Sequence, residues 1–265
     1  MIKILLSIYL LLSSFVLFAQ GLFENDPIWR DEFNRDNVPS SMYWSYIVGM
    51  RGQESEYYTN SSNNVCVNNG KLIIRTLDEK KDKALCTSGR IHTLGKVSFL
   101  YGRLEIKAKC PTGKGIWPAF WMLPAEEGLP FGEIDIMEYY RIKGEPHILA
   151  NAAWGTDWQW NARWNSKAIP FTHFTDKDPA WADKFHIWRM DWDETAIKIY
   201  LDDELLNEIL LSETVNGTIG KGTNPFRMPQ YLLLNLALGG INGGEIDDKG
   251  IPMRYEIDYV RVYQK

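Results

Sequence analysis

The stretch G-E-I-D-I-M-E-Y-Y, residues 132–140, places three acids among isoleucines and a methionine. Glu133 and Asp135 are two residues apart, so on a β-strand their side chains lie on the same face. Glu138 follows five residues after Glu133, and strict alternation would put it on the opposite face. A β-bulge between Ile136 and Glu138 supplies one extra residue and returns all three acids to one face. The stretch therefore predicts a bulged strand with a carboxylate cluster on a single face.

The residue types and the spacing of this cluster suit acid–base chemistry. The backbone between Glu133 and Glu138 advances about four steps of roughly 3.3 Å. Side chains that lean together then bring the two carboxyl groups to about 5 Å, the separation typical of retaining glycosidases. Because three close acids cannot all ionise without a large free-energy penalty, at least one pKa is expected to rise. One carboxylate would act as nucleophile and one carboxylic acid would stay protonated near neutral pH.

Two other interpretations of the acids remain open at this point. The strand could belong to a sheet with one solvated face, where lysines pair with the acids, or the acids could bind a divalent cation. Neither interpretation explains the tryptophans that flank the strand. Neither explains why the remaining residues of the strand, Ile134, Ile136 and Met137, are all apolar.

Short β-rich runs recur along the rest of the chain, and no long helical periodicity interrupts them. The runs are residues 71–76, 102–109, 133–139, 196–201, 231–238 and 255–263. Several alternate apolar and polar residues, and turn-rich stretches separate them. Residues 203–211 are interpreted as part of a hairpin, with Asp202 and Asp203 in its turn. Many short antiparallel strands in a chain of this size predict an all-β sandwich or jelly roll of two sheets.

Eleven tryptophans are present, and they cluster. Tryptophan faces stack well on the apolar faces of sugar rings. In W-G-T-D-W-Q-W-N-A-R-W, residues 154–164, polar residues interleave the aromatic ones, which favours a wet binding surface over a core. This surface is expected to include Trp154, Trp158 and Trp160. Apolar neighbours surround three other tryptophans, for which core packing is expected: Trp121, Trp188 and Trp192.

The composition bounds the class of protein. The chain has 265 residues, of which 45% are hydrophobic, and a formal net charge of −5. This length suits a single large β-domain. Nucleic-acid-binding domains usually carry a basic patch, so the acidic balance argues against DNA or RNA as a partner. We expect one catalytic domain over residues 21–265 that acts as a monomer.

The N-terminus resembles a secretory signal peptide. Lys3 precedes an apolar run that ends at Phe18, and small or polar residues follow it. The run is about fifteen residues, whereas a membrane span needs roughly 20. Residues 1–20 are therefore predicted to be removed, which places the mature chain outside the cell or in the periplasm. The first cysteine is Cys66, which argues against a lipid-modified N-terminal cysteine.

The three cysteines leave their pairing open. Export permits disulfides, but three cysteines form at most one bridge and leave one thiol over. Buried free thiols are an equally good interpretation. The spacing of Cys66, Cys86 and Cys110 fits no zinc pattern.

Six motifs, in order along the chain, resemble glycoside hydrolase family 16, which includes laminarinases, lichenases, agarases and endo-β-galactosidases. They are W-R-D-E-F-N (29–34), S-G-R-I-H-T with Y-G-R-L-E-I-K-A-K (88–93 and 101–109), G-I-W-P-A-F-W-M-L-P (115–124), G-E-I-D-I-M-E (132–138), L-N-L-A-L-G-G (234–240) and Y-E-I-D-Y-V-R-V-Y-Q (255–264). The resemblance implies a jelly-roll sandwich with a sugar cleft on its concave face. It also implies Glu133 as nucleophile, Glu138 as acid/base and Asp135 as the helper of the nucleophile.

The same resemblance implies further site residues. Four positions match those that line sugar subsites in the family: Trp117, Arg90, Asn64 and Asn235. The family's reaction needs no cofactor, but many of its members hold a structural calcium ion away from the cleft. The matching positions are Glu32, Asp258 and a backbone carbonyl near Gly70, an all-oxygen set that suits calcium if waters complete it.

One departure from the family pattern concerns the substrate. Many laminarinase-like members have a histidine in the strand after the catalytic one, whereas A-N-A-A-W-G, residues 150–155, has Ala153 there. Losing this polar group changes which sugar hydroxyls can be satisfied. We expect an endo-acting, retaining β-glycosidase that cuts internal β-1,3 or β-1,4 linkages, with a slight preference for β-glucan such as laminarin or mixed-linkage glucan.

Other functions stay open. An endo-β-galactosidase would act on poly-N-acetyllactosamine, on mucin-type O-glycans or on an algal galactan. Transglycosylation would replace the attacking water by a sugar hydroxyl. A non-catalytic carbohydrate-binding sandwich would tolerate loss of either glutamate, yet both are present.

Overall fold

Short β-strands make up most of the regular structure. The computed structural model describes residues 26–35, 37–52, 54–126, 130–159, 161–247 and 251–264, so the predicted leader at 1–20 lies outside the described residues. The strands are β1 (Trp29–Asp31), β2 (Ser45–Tyr46), β3 (Glu56–Tyr58), β4 (Val65–Val67), β5 (Leu72–Arg75), β6 (Cys86–Ser88), β7 (Arg90–His92), β8 (Ser98–Phe99), β9 (Gly102–Lys109), β10 (Ile116–Pro124), β11 (Gly132–Ile142), β12 (Glu145–Gly155), β13 (Ala162–Pro170), β14 (His186–Trp192), β15 (Ala196–Leu201), β16 (Glu204–Leu210), β17 (Gln230–Leu238) and β18 (Arg254–Tyr263). Two single helical turns, α1 (Thr172–Thr175) and α2 (Gly240–Gly243), lie in the connections.

The strands form two large antiparallel sheets. Sheet A has the order β16-β15-β14-β9-β18-β5-β4, with β1 added on β18. Sheet B has the order β13-β12-β11-β10-β17-β7-β2, with β8 added on β17. A small parallel pair, β3 and β6, stands apart from both sheets. The predicted two-sheet jelly-roll sandwich is confirmed.

The core lies between the two sheets and is rich in aromatic residues. Phe120 of sheet B meets Trp188 of sheet A edge to face, with 5.7 Å between ring centroids. Trp192 is also buried, and its indole Nε1 donates a 3.1 Å hydrogen bond to the carbonyl oxygen of Phe226. The prediction that Trp188 and Trp192 belong to the core is confirmed.

All six β-rich runs predicted from the sequence form strands, whereas β10, β12, β13 and β14 were not predicted. The predicted runs 102–109 and 196–201 coincide with β9 and β15, and the other four differ from the observed strands by a few residues at most. In β9, alternate residues are buried, as the apolar–polar alternation predicts. Asp202 and Asp203 both have positive φ, 46° and 68°, between β15 and β16. This is the two-residue hairpin turn expected there.

The cysteines are free thiols. Cys86 and Cys110 are buried, and Cys66 is half-buried. Burial raises the pKa of the Cys86 thiol to about 12, and it also raises the pKa of the Cys110 thiol well above its ordinary value. Of the two interpretations left open by the sequence, free thiols are therefore the one observed, and the two buried thiols are unreactive at neutral pH.

The α-helices in the described part of the chain are single turns. None of its helices combines the length and the apolar character that a membrane crossing needs.

Candidate active site

A β-bulge in β11 brings the three acids onto one face. Asp135 pairs with Asn151 of β12, and Glu138 pairs with Leu149, so three steps on β11 match two on β12. The extra residue lies between the two acids, where Ile136 and the next residue both point into the core. The bulge that the sequence predicts is confirmed.

The cleft face of β11 continues across its neighbours, because directly paired residues of antiparallel strands project to the same side of a sheet. Three rows of side chains cross sheet B. The row through Glu138 contains Arg90, Asn235, Ala119 and Leu149. The row through Asp135 contains Leu233, Trp121, Asn151 and Ser166. The row through Glu133 contains Ala153 and Trp164.

Glu138 is buried and holds two hydrogen bonds. Trp117 Nε1 donates to its Oε1 at 2.7 Å, and Asn151 Nδ2 donates to its Oε2 at 2.7 Å. The pKa of Glu138 is raised to about 7, chiefly by burial and also by the negative charge of Glu133, while the two hydrogen bonds act in the opposite direction. This carboxyl group can therefore exchange a proton near neutral pH, which a general acid/base must do.

Glu133 and Asp135 share a second part of the acid cluster. Burial, followed by the negative charges of Glu138 and Glu133, raises the pKa of Asp135 well above its ordinary range. Burial also raises the pKa of Glu133, but a hydrogen bond with Asp135 and the charge of Arg90 lower it. A proton is thus best placed on Asp135, where it can be donated to an ionised Glu133.

Trp121 lies on the cleft face, so its predicted place in the core is wrong. It is half-buried, its Nε1 donates a 2.8 Å hydrogen bond to Asn235 Oδ1, and the Arg90 guanidinium lies 4.7 Å from its ring centroid. The spacing of four residues from Trp117 puts both indoles on one face of β10. That parity was the signal available in the sequence, and the apolar neighbours concealed it.

A buried network of hydrogen-bonded polar side chains supports this part of the cleft. The sequence analysis did not identify it. Asn235 Nδ2 donates to the Tyr58 hydroxyl at 3.4 Å, and Tyr58 is hydrogen-bonded to Glu56. The backbone N–H of Leu238 donates to Glu56 Oε2 at 2.8 Å. Burial, and next the charge of Glu54, raises the pKa of Glu56 to about 8. The short strand β3 gave no sequence signal for this network.

Trp117 offers a direct test of the environment of Glu138. Its hydrogen bond favours the carboxylate and so lowers the pKa of Glu138. Trp117→Phe removes the donor, and the pKa of Glu138 should rise by about one unit. If Glu138 must be protonated in catalysis, the alkaline limb of the kcat/KM profile moves to higher pH.

The matched variant for this measurement is Trp158→Phe, at an exposed tryptophan in the turn between β12 and β13. Its alkaline limb should stay where it is in the wild type. An unchanged limb in Trp117→Phe, or an equal shift in both variants, would contradict the account of Glu138.

Asn64 does not line the cleft, so its predicted role in substrate binding is wrong. Its side chain is 0% exposed. Its Oδ1 accepts from Thr59 Oγ1 at 2.6 Å, and its Nδ2 donates to the carbonyl oxygen of Arg75 and to Thr87 Oγ1, both at 3.1 Å. Both amide protons and the amide oxygen bond to the protein, and the buried side chain is out of reach of a sugar in the cleft.

Asn64→Ala should therefore lower stability and leave substrate affinity unchanged. The variant strands three polar groups that Asn64 now satisfies, which costs about 2–4 kcal/mol in the free energy of unfolding. Denaturant unfolding measures this loss, and KM below the unfolding temperature should match the wild type. Asn63→Ala, at an exposed neighbour, should change stability by at most about 0.5 kcal/mol. A raised KM with normal stability in Asn64→Ala would restore the substrate-binding role.

The tryptophan-rich stretch divides between the core and the surface. Trp154 is 7% exposed and packs in the core, so its predicted place on the binding surface is wrong. Because Ala153 faces the cleft, alternation turns Trp154 inward. Trp158 is 74% exposed, as expected for a binding surface. Trp160 lies outside the described residues. Trp164, which the sequence left unassigned, is half-exposed on the cleft face beyond Ala153.

The two acids of the predicted calcium set, Glu32 and Asp258, form ion pairs with cations of the protein. Arg261 binds Glu32 through two hydrogen bonds of 2.7 and 2.8 Å, and Lys107 lies 2.8 Å from Asp258. Within the described ranges, no group of three or more His, Cys, Asp or Glu residues could hold a metal ion. As arranged, the two acids do not fit a calcium ion, so a site at Glu32, Gly70 and Asp258 stays a prediction from the resemblance.

Comparisons with known proteins agree with this geometry. A family model for glycosyl hydrolases family 16 matches residues 52–261. A β-glucanase of Rhodothermus marinus is 35% identical over 255 residues, which cover 89% of this chain and 84% of that enzyme. A keratan-sulfate endo-1,4-β-galactosidase of Sphingobacterium multivorum is 31% identical over 89% of this chain and 54% of that enzyme.

A solved structure of an endo-acting O-glycanase, of the kind that human gut bacteria express to initiate mucin breakdown, has a TM-score of 0.78 and 32% identity over 90% of each chain. Several other relatives are much longer proteins, of which this chain spans between 34% and 48%. The matched region includes the bulged strand β11, the tryptophans of β10 and the closing strand β17. The chain therefore belongs to glycosyl hydrolase family 16 and is an endo-acting glycosidase of that family.

Proposed function

We propose that this chain is a retaining β-glycosidase that hydrolyses internal β-1,3 or β-1,4 linkages of a polysaccharide, with a slight preference for β-glucan. The observation that carries this proposal is that Glu133 and Glu138 lie on the same face of a bulged strand and that the pKa of Glu138 is about 7. A pair of carboxyl groups with separated protonation states is what a double displacement requires.

The first half of the reaction breaks the glycosidic bond. Glu138, protonated, donates its proton to the leaving glycosidic oxygen while the Glu133 carboxylate attacks the anomeric carbon. The leaving sugar departs as an alcohol, and a covalent glycosyl-enzyme ester remains on Glu133. Asp135 keeps Glu133 ionised before the attack because it holds the proton that the two acids share.

The second half returns the enzyme to its starting state. Glu138, now a carboxylate, removes a proton from a water molecule, and the water oxygen attacks the anomeric carbon. The ester breaks, Glu133 leaves as a carboxylate, and Glu138 is protonated again. These two carboxyl groups and water supply every proton and electron pair, so the proposed reaction uses no cofactor.

β-Glucan is the favoured substrate because the match with a β-glucanase covers 89% of this chain and 84% of that enzyme. An endo-β-galactoside is the second candidate, and two observations support it. Ala153, opposite Glu133, stands where many laminarinase-like members have a histidine. A galactosidase and a mucin O-glycanase are also among the similar proteins.

A product assay separates the two candidates. Purified protein is incubated with laminarin, mixed-linkage β-glucan, an agar-type galactan and a poly-N-acetyllactosamine glycan, and the products are identified by mass spectrometry. Glu133→Gln serves as the control. Oligosaccharides from a glucan support the first candidate, and oligosaccharides only from a galactoside support the second. No products from any of the four would contradict both candidates and favour a binding module. Lengthened chains at high acceptor concentration would identify transglycosylation.

The proposal also covers where the protein acts. A leader at residues 1–20 would direct the chain out of the cytoplasm, to the periplasm or the medium, where it can meet polymeric glycans. The mature protein would act there as a monomer. N-terminal sequencing of the exported protein tests the cleavage near Ala19 or Gln20.

A further inference from the structure

A large apolar pocket opens at the end of sheet B where β11 begins and β12 ends. Its volume is about 620 Å³. Its walls come from the segment before β11, from the β12–β13 turn and from the connection between β16 and β17. No step of the proposed mechanism uses this pocket.

The pocket continues the cleft face beyond Glu133. Gly155 and Ala162, which line it, are paired across β12 and β13. Each is two residues away from a member of the Glu133 row, Ala153 or Trp164, and therefore faces the same side of the sheet. The pocket thus begins about 7 Å from that row, measured along the strands.

The position of the pocket lies off the path expected for the glycan backbone. Half-exposed cleft-face residues run from Arg90 on β7, through Trp121 on β10, to Trp164 on β13. A polysaccharide that follows these residues crosses the strands. Trp121 and Trp164 each lie one row nearer to the pocket than the residue before them, so the path crosses the strands obliquely and reaches the edge strand β13 at Trp164. The pocket begins two residues further along β12 and β13, so a group that branches from the backbone beside Trp164 can reach it.

The walls have the chemistry that a sugar ring needs. Phe131, Trp158 and Ile219 are 43%, 74% and 57% exposed, and all three line the pocket. Such a cluster of exposed large apolar side chains usually marks a binding surface. The aromatic rings suit the apolar face of a pyranose, and Asn161 and Lys221 add polar groups to the lining.

Hydrogen bonds hold the frame of the pocket in place. The buried Asn216 donates from Nδ2 to the carbonyl oxygen of Phe131 at 3.0 Å and accepts from the backbone N–H of Gly155. Asp157 Oδ1 accepts from the backbone N–H and from the hydroxyl of Thr218, both at 2.7 Å. Three separate segments are thereby fixed to one another, which reduces the ordering cost of binding.

We infer that this pocket is a side subsite for a single-sugar branch on the glycan backbone, seated against Trp158 and Phe131. Its volume falls within the range of about 300–1,000 Å³ for small-molecule sites and is ample for one pyranose ring. The enzyme would consequently cut a branched glycan better than the same backbone without branches. The inference rests on the proposed glycosidase function and specifies its substrate further.

The test compares matched oligosaccharides that share one backbone, the one identified by the product assay, and differ only in one single-sugar branch. kcat/KM is measured on both for the wild type, Trp158→Ala and Ala162→Phe, which fills the pocket. The wild type should favour the branched compound. Both variants should lose about tenfold on it and less than about twofold on the linear compound. Leu205→Ala, an exposed apolar position outside the pocket lining, should lose neither.

Two results would overturn the inference: equal losses on both compounds, or no loss on the branched one. Dissociation constants of both oligosaccharides for Glu133→Gln, with and without Trp158→Ala, separate this inference from the proposed function. If no variant or wild type cleaves either compound, the proposed function fails, and the side subsite is then judged by binding alone. A branched-to-linear affinity ratio that Trp158→Ala leaves unchanged would contradict it.

Discussion

Glu133→Gln should reduce kcat by about 10⁴-fold or more on any glycan that the wild type cleaves. The carboxamide has nearly the same shape as the carboxylate, but it cannot form the glycosyl ester. Substrate affinity should stay close to that of the wild type, since Glu133 is one of many groups on the cleft face. Initial rates of reducing-end formation, with binding measured separately by titration, test both statements.

The control for Glu133→Gln is Glu208→Gln, the same change at an exposed position of sheet A. It should keep wild-type turnover and lose little stability, because exposed ion pairs contribute at most about 1 kcal/mol. The unfolding temperature of Glu133→Gln should be at least that of the wild type near neutral pH, because the change removes a buried acid whose pKa is raised. Turnover above about 1% of wild type in purified Glu133→Gln would contradict its role as nucleophile.

Glu138→Gln should reduce kcat by about 10²–10⁴-fold on natural glycans, the usual range for loss of a general acid/base. On an aryl glycoside with an acidic leaving group, the first step needs little protonation and should be affected much less. In the wild type, kcat/KM should fall above pH about 7, because Glu138 is then ionised and cannot protonate the leaving oxygen. That alkaline limb should be absent in the variant.

The same variant should change how stability depends on pH. The pKa of Glu138 is raised on folding from its ordinary 4.5 to about 7, so its contribution to stability is complete below pH 4.5 and is lost as pH rises through 7. The difference in unfolding temperature between Glu138→Gln and the wild type should therefore be more positive at pH 8 than at pH 4. Wild-type activity of Glu138→Gln at neutral pH, or the opposite stability trend, would contradict its assignment as acid/base.

The bulge was predictable because its evidence lies within one short stretch. Alternation fixes the faces of Glu133 and Asp135, and the apolar residues between the acids leave a bulge as the simplest way to align Glu138. The six predicted β-rich runs were recognisable for a similar reason. Local periodicity and turn residues carry most of the information about where a strand lies.

Other features depend on contacts between distant parts of the chain. Trp154 turns inward because Ala153 pairs with Glu133, and this register is set by another strand. Asn64 is enclosed by Thr59, Arg75 and Thr87, a set that no local pattern identifies. The pocket beyond Glu133 has three separate segments as walls, so sequence spacing could not reveal it.

The division between catalytic strands and the connections that form the pocket also explains why the family is clearer than the substrate. β10, β11 and β17 supply the reacting acids and their supports, and these strands carry the family motifs. The turn around Trp158 and the connection that contains Ile219 lie outside the sheets and form the pocket. Connections of this kind usually determine which substrate a shared scaffold accepts.

The most direct test of the central claim is the anomeric configuration of the first product. Proton NMR follows the new reducing end within the first minutes of hydrolysis, before mutarotation mixes the two anomers. Double displacement through Glu133 predicts that the β anomer appears first and that the α anomer follows only as mutarotation proceeds. Initial appearance of the α anomer would show inversion, and Glu133 could then not be the nucleophile of a covalent intermediate.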